Sequence, residues 1–257
     1  MPTIDAHDPG TICWIDLAST DAAGATEFYC DLFGWTATEP IENAGGYRML
    51  LRDGRQVAGL APVWGDTDGS TWSTYVASAD ADQTCAAAVA GGGEVVMDAM
   101  DVLTAGRMAV LRDPTGAQVS VWQAGDHRGY EVHSEPGAPI WSELVTRDLA
   151  SAHDFYHSVF GWTALEDDFD GVPYTVWKRH GKLVGGALEM DESWPAETHS
   201  HWMVYIATDD CDAAARRCTE LGGTIWHPPG DVGPGRCALL EDPAGAVFSV
   251  VELRSGS

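Results

Sequence analysis

Hydrophobic and polar positions along this chain change period at regular intervals. From Trp14 to Ala18 apolar and polar residues alternate briefly, which predicts a strand. Ala25, Phe28, Tyr29, Leu32 and Phe33 then follow the three-and-four spacing of one buried helix face. Thr20 or Asp21 stands where such a helix is capped, and Gly34 stands where it would end. Further strands are predicted from Trp35, over Tyr47–Leu51, and over Gln56–Val63 beyond a turn at Asp53 and Gly54. Another strand opens at Trp72–Ser78. An alanine-rich helix from Asp80 stops at Gly91–Gly93, and two strands flank a turn at Asp113–Gly116.

The same succession returns in the second half. Asp148, Phe155, Tyr156, Phe160, Gly161 and Trp162 repeat Asp21, Phe28, Tyr29, Phe33, Gly34 and Trp35 at a constant offset. Trp14 meets Trp141, Leu17 meets Leu144, Tyr47 meets Tyr174, and Gly59 meets Gly186. Farther along, Tyr75 matches Tyr205, Gly106 and Arg107 match Gly235 and Arg236, and Asp113–Gly116 matches Asp242–Gly245. Two homologous domains follow, over residues 10–125 and 136–254, with a polar linker at 126–135. Each domain reads as two βαβββ modules.

Composition narrows the chemistry. The 257 residues carry 39 Asp+Glu against 14 Lys+Arg, a formal charge of −25. The only lysines are Lys178 and Lys182, and no basic run exists to neutralise phosphates. Nucleic acid and anionic membrane are therefore not expected partners. No apolar stretch has membrane-span length, and no signal peptide is legible, so a cytoplasmic protein is expected. The six cysteines, Cys13, Cys30, Cys85, Cys211, Cys218 and Cys237, lack Cys-x-x-Cys spacing and read as reduced, packed thiols. None has a cysteine at its matching position in the other half, which excludes a thiol role shared by both.

The Asp21…Phe28-Tyr29…Phe33-Gly34-Trp35 helix, its copy, and the later Gly-Arg…Asp-Pro-x-Gly hairpins resemble the glyoxalase/bleomycin-resistance/extradiol-dioxygenase (vicinal oxygen chelate) superfamily. The tandem arrangement is similar to its two-domain actinobacterial members, some of them accessory proteins of antibiotic pathways. The resemblance implies an α+β fold of two tandem glyoxalase-like domains. Each would form a curved-sheet cup with helices outside.

In the family's metal enzymes, ligands stand on the first and last strands of a module. The resemblance carries these positions to Trp14, Thr74, Trp141 and Val204, and to Ser120 and Ser249. Indole, hydroxyl and isopropyl groups do not replace imidazole and carboxylate around a divalent ion, so neither metal nor cofactor is expected. His199 and His201, the closest-spaced histidine pair, read as surface residues before a strand.

Strand alternation then assigns cup faces from the family position. Trp14 pointing inward brings Asp16 with it, and Trp141 brings Glu143. Ser120 brings Trp122, and Trp202 has the parity of Val204. A four-residue loop at Asp113–Gly116 would place Arg107 opposite Trp122 and Arg236 opposite Val251. Each cup is thus expected to hold a carboxylate and an arginine among tryptophans. Asp16 with Arg107, and Glu143 with Arg236, could be structural ion pairs. Alternatively the carboxylates are catalytic acid/base candidates or amine anchors.

Two functions stay open. One is a metal-independent protein binding a hydrophobic, aromatic and cationic small molecule, such as an antibiotic or secondary metabolite, in a resistance or accessory role. The other is a divergent lyase, isomerase or dioxygenase-like enzyme of the same superfamily. A monomer or homodimer suits either.

Overall fold

Four helices begin on an aspartate whose carboxylate accepts the N–H three residues on. Asp21 caps at Gly24, Asp80 at Gln83, Asp148 at Ser151 and Asp210 at Ala213. Such a cap is worth about 1 kcal/mol. Gly34 and Gly161 end their helices in the left-handed conformation, at φ of 69° and 71°. A Cβ would oppose that conformation.

The computed structural model describes residues 4, 6–65, 69–169, 171–233 and 235–254. The first module is β1 (Ile12–Ser19), α1 (Ala22–Phe33), β2 (Thr36–Ala37), β3 (Arg48–Arg52) and β4 (Arg55–Pro62). The second is β5 (Thr71–Ala77), α2 (Ala81–Ala90), β6 (Glu94–Val102), β7 (Gly106–Arg112) and β8 (Gln118–Ala124). In the second domain the third module is β9 (Pro139–Thr146), α3 (Leu149–Phe160), β10 (Thr163–Phe169), β11 (Val172–Arg179) and β12 (Lys182–Glu189). The fourth is β13 (His201–Ala207), α4 (Cys211–Glu220), β14 (Thr224–Val232), β15 (Gly235–Glu241) and β16 (Val247–Leu253).

Each domain forms one curved eight-stranded sheet. The orders are β2-β3-β4-β1-β5-β8-β7-β6 and β10-β11-β12-β9-β13-β16-β15-β14. The two modules of a domain meet where β1 pairs antiparallel with β5, and β9 with β13.

Helices lie outside each cup but inside the molecule, because the two domains pack helix face to helix face. One core joins the first and fourth modules through Phe28, Tyr29, Leu60, Ile206, Phe248 and Val250. The other joins the second and third through Val76, Leu111, Val119, Phe155, Tyr156 and Trp177. Polar links cross the same boundary: the Trp35 indole donates to the Gly137 carbonyl at 2.7 Å, and the Trp162 indole to Gly10 at 2.7 Å.

The chain between the domains is pinned to the first one. Asp126 N and His127 N donate to the Thr104 and Ala105 carbonyls, and Tyr130 N donates to Cys13. Glu135 accepts from Arg52 at 2.8 Å and Arg55 at 3.2 Å. The polar stretch at 126–135 is therefore a strap over the first domain, not a free spacer.

Candidate functional site

The cup face of each sheet is the one turned away from the helices, and strand register says which side chains share it. On β1, Trp14 lies opposite Tyr75 and Asp16 opposite Ser73. Tyr75 also neighbours Ser120 of β8, whose Trp122 stands two residues on. In the second domain Trp141 lies opposite Tyr205, Glu143 opposite Met203, and Tyr205 beside Ser249. Trp14, Asp16, Ser120 and Trp122 thus share the first cup; Trp141, Glu143 and Ser249 share the second.

Five expected cup residues face elsewhere. Thr74 lies opposite Ile15 and Val204 opposite Ser142, on the helix side. The Thr74 hydroxyl meets that of Ser142 across the domain boundary at 3.4 Å. Trp202 lies opposite Leu144 and is core: its indole donates to the Tyr156 hydroxyl at 2.9 Å. Thr74 and Val204 each stand one residue out of register with the cup face, and a one-residue shift reverses a side chain's face.

Arg107 and Arg236 also point outward. The hairpin closes between Asp113 and Ala117, not over a four-residue loop, so Arg107 lies opposite Gln123 and Arg236 opposite Glu252. Arg107 then reaches Asp82 on α2 at 3.0 Å and Asp101 at 2.9 Å. Arg236 pairs with Asp212 on α4 at 2.6 Å. Neither arginine neutralises a cup carboxylate, so the proposed ion pairs with Asp16 and Glu143 do not form.

Tyrosines take that place. Tyr75 donates to Asp16 Oδ2 at 2.7 Å and Tyr47 to the same oxygen at 3.4 Å, while the Trp14 indole donates to the Tyr47 hydroxyl at 2.8 Å. The second cup repeats the arrangement. Tyr205 donates to Glu143 Oε1 at 3.0 Å, Tyr174 also bonds this carboxylate, and Trp141 donates to the Tyr174 hydroxyl at 2.9 Å. Burial pushes the Asp16 carboxyl up to about 6, against the opposing pull of its hydroxyl donors. Glu143 moves upward for the same reason. The phenols Tyr47, Tyr75 and Tyr205 rise well above their ordinary value through burial and the adjoining negative charge.

Gly59 and Gly186 make this approach possible. Each lies in register with its carboxylate, Asp16 or Glu143, on the neighbouring parallel strand. A Cβ at Gly59 would overlap the Tyr47 hydroxyl, and one at Gly186 the Tyr174 hydroxyl. These four tyrosines were missing from the residues expected at the site. Their signal was present, since Tyr47 with Tyr174 and Tyr75 with Tyr205 recur between the halves.

The cups differ at their far wall. In the first, the His127 ring sits edge-on to Trp14 at 4.4 Å and to Trp122 at 5.5 Å. Trp14 and Trp122 are almost fully buried in a cluster with Tyr75 and Tyr130. In the second cup Cys237 lies opposite Val251, where Met108 and Trp122 stand in the first, and Trp141 is half-buried. Two crevices, of about 270 and 370 Å3, open at the domain boundary rather than beside either carboxylate.

The donors do not fit a divalent metal. Cup-facing positions on the first strands carry indole and phenol, the last strands carry Ser120 and Ser249, and each lone carboxylate is already tied to two tyrosines. Among the described residues, no three His, Cys, Asp or Glu side chains converge as a metal site.

The sequence profile described as the glyoxalase/bleomycin resistance protein/dioxygenase superfamily matches residues 11–121 and 140–250. The chain belongs to that superfamily. It is 41% identical over 263 residues to the anthracycline biosynthesis protein DnrV of Streptomyces peucetius, covering 96% of this chain and 95% of that protein. A Mycobacterium bovis relative provisionally named glyoxylase CFP32 is 40% identical over 259 residues, covering 98% of each. Among solved structures, the Mn(II)-bound glyoxalase from Novosphingobium aromaticivorans superposes with a TM-score of 0.65 at 16% identity. It covers 95% of this chain and 82% of that one. At that identity the likeness concerns the fold alone. Among the described residues no helix is long and apolar enough to cross a membrane.

Proposed function

We propose that this protein binds a hydrophobic, aromatic small molecule of secondary metabolism through its cups, without a metal, and that Asp16 and Glu143 are the polar anchors. One observation carries the reading: each half builds the same Trp–Tyr–carboxylate–Tyr set, although the acid changes from Asp to Glu. Two phenols hold each carboxylate without cancelling its charge, which leaves it able to receive a cationic or hydroxylated ligand. The DnrV relative, named for anthracycline biosynthesis, supports a planar polycyclic ligand and an accessory role in such a pathway.

A second reading, acid/base catalysis on such a molecule, is favoured by Asp16 alone. Its carboxyl, poised at about 6 and partly exposed, can take or return a proton near neutral pH.

Proflavine, a planar fluorescent cation, tests the binding reading in titrations of the parent, Asp16→Asn and Glu143→Gln. A charge-assisted hydrogen bond is worth about 1.5–3 kcal/mol, so each amide should weaken its own cup roughly ten- to a hundredfold. Parent-like affinity in both folded variants would make the carboxylates scaffold.

A further inference from the structure

We infer that the first cup contains an aromatic binding slot, between Trp14 and Trp122, which the His127 side chain of the interdomain strap occupies. The slot would take one ring of a planar aromatic ligand after the imidazole swings out. This inference rests on the proposed binding of an aromatic molecule and specifies how the first cup receives it.

The imidazole packs edge-on against both indoles. It is a poor occupant. Both of its ring nitrogens are buried and neither has a hydrogen-bond partner. A neutral imidazole carries one donor and one acceptor, and burying both without partners is costly. Burial holds the ring neutral at physiological pH, its pKa lowered to about 4, with His7 as the neighbouring titratable group.

The backbone beneath the ring is fixed, so side-chain rotation is the available motion. His127 N donates to the Ala105 carbonyl, and the Trp122 indole donates to the His127 carbonyl at 2.9 Å. Rotation would rehydrate both nitrogens and leave a gap walled by two indole rings whose own N–H groups are already satisfied. An aromatic ligand ring fills such a gap without leaving polar atoms unpaired. The second cup has Val251 in place of Trp122, so it has no equivalent slot.

The test compares the parent with His127→Ala and His127→Phe, using melting temperature and proflavine titration at physiological salt. His127→Ala empties the slot and should tighten proflavine binding at the first cup about tenfold, as when the competent form is about a tenth of the population. His127→Phe keeps a ring there without orphaned nitrogens. It should weaken binding and raise the melting temperature of the ligand-free protein by about 2–4 °C. Unchanged or weaker binding by His127→Ala overturns the inference. Should neither parent nor variants bind proflavine, the aromatic-ligand reading fails by itself. Melting temperature then decides the occupancy: a rise in His127→Phe supports it and a fall overturns it.

Discussion

Tyr156 on α3 donates its hydroxyl to Asp113 Oδ2, in the last hairpin turn of the other domain, at 2.9 Å. The same hydroxyl accepts the Trp202 indole N–H at 2.9 Å. Asp113 Oδ1 meanwhile accepts from Thr115 N, the Thr115 hydroxyl and Ala117 N. A buried carboxylate therefore closes a hairpin in one domain and docks a helix of the other. The counterpart Tyr29 faces Asp242; burial first, and the charge of that carboxylate second, push the phenol well upward. The Phe-Tyr pair of α3 is thus both packing and interdomain polar contact.

Tyr156→Phe should destabilise the protein by about 1–3 kcal/mol, because it strands a buried indole N–H and removes a donor from a buried carboxylate. Urea denaturation measures the loss. Cooperative unfolding of both domains should persist but at a lower midpoint.

Asp16 sets a pH dependence. Its folded pKa, about 6, lies above its ordinary value of 3.8, so the folded protein holds this proton longer than the unfolded chain. Asp16's contribution to stability is greatest below the lower value and is lost as pH rises toward the upper one. Asp16→Asn, whose amide oxygen still accepts from Tyr75, should stabilise the protein above pH 6 by on the order of 1–2 kcal/mol. The gain should vanish near pH 4, as denaturation curves at the two values will tell.

Gly59→Ala places a methyl against the Tyr47 hydroxyl, on a strand whose backbone is held by two neighbours. Overpacking of this kind costs about 1–3 kcal/mol. Because Tyr47 is a donor to Asp16, the carboxyl pKa should climb further in the variant. Carboxyl-carbon NMR titration reads that shift separately from the fall in stability.

Arg107→Ala and Arg236→Ala should fold and bind proflavine like the parent. Their guanidinium groups meet Asp82 and Asp212 on the helix side, half-exposed and screened by salt. A loss of ligand binding in either variant would return an arginine to its cup.

Fold and repeat were legible because they rest on short-range rules. The three-and-four spacing from Ala25 to Phe33 and the aspartate caps needed no knowledge of distant partners. Strand parity likewise placed Asp16 beside Trp14 and Glu143 beside Trp141, since alternation within one strand is local geometry. The same argument failed on passing between strands. Where the hairpin closed on Ala117, one residue beyond the expected loop, Arg107 and Arg236 turned from the cups to the helices.

By itself, the sequence determined two homologous halves, their module order, and a carboxylate two residues from a cup-facing tryptophan in each. Only the tertiary structure decided what those carboxylates touch. Tyr47, in the bridge just before β3, reaches Asp16 over a glycine in register with it, Tyr75 reaches it from β5, and no spacing along the chain encodes that convergence. The same holds for His127. It reads as one polar residue in a linker until the strap, tied down through Thr104 and Ala105, lays its ring between Trp14 and Trp122. Periodicity records which side of an element is buried; it carries no information about which distant side chain does the burying.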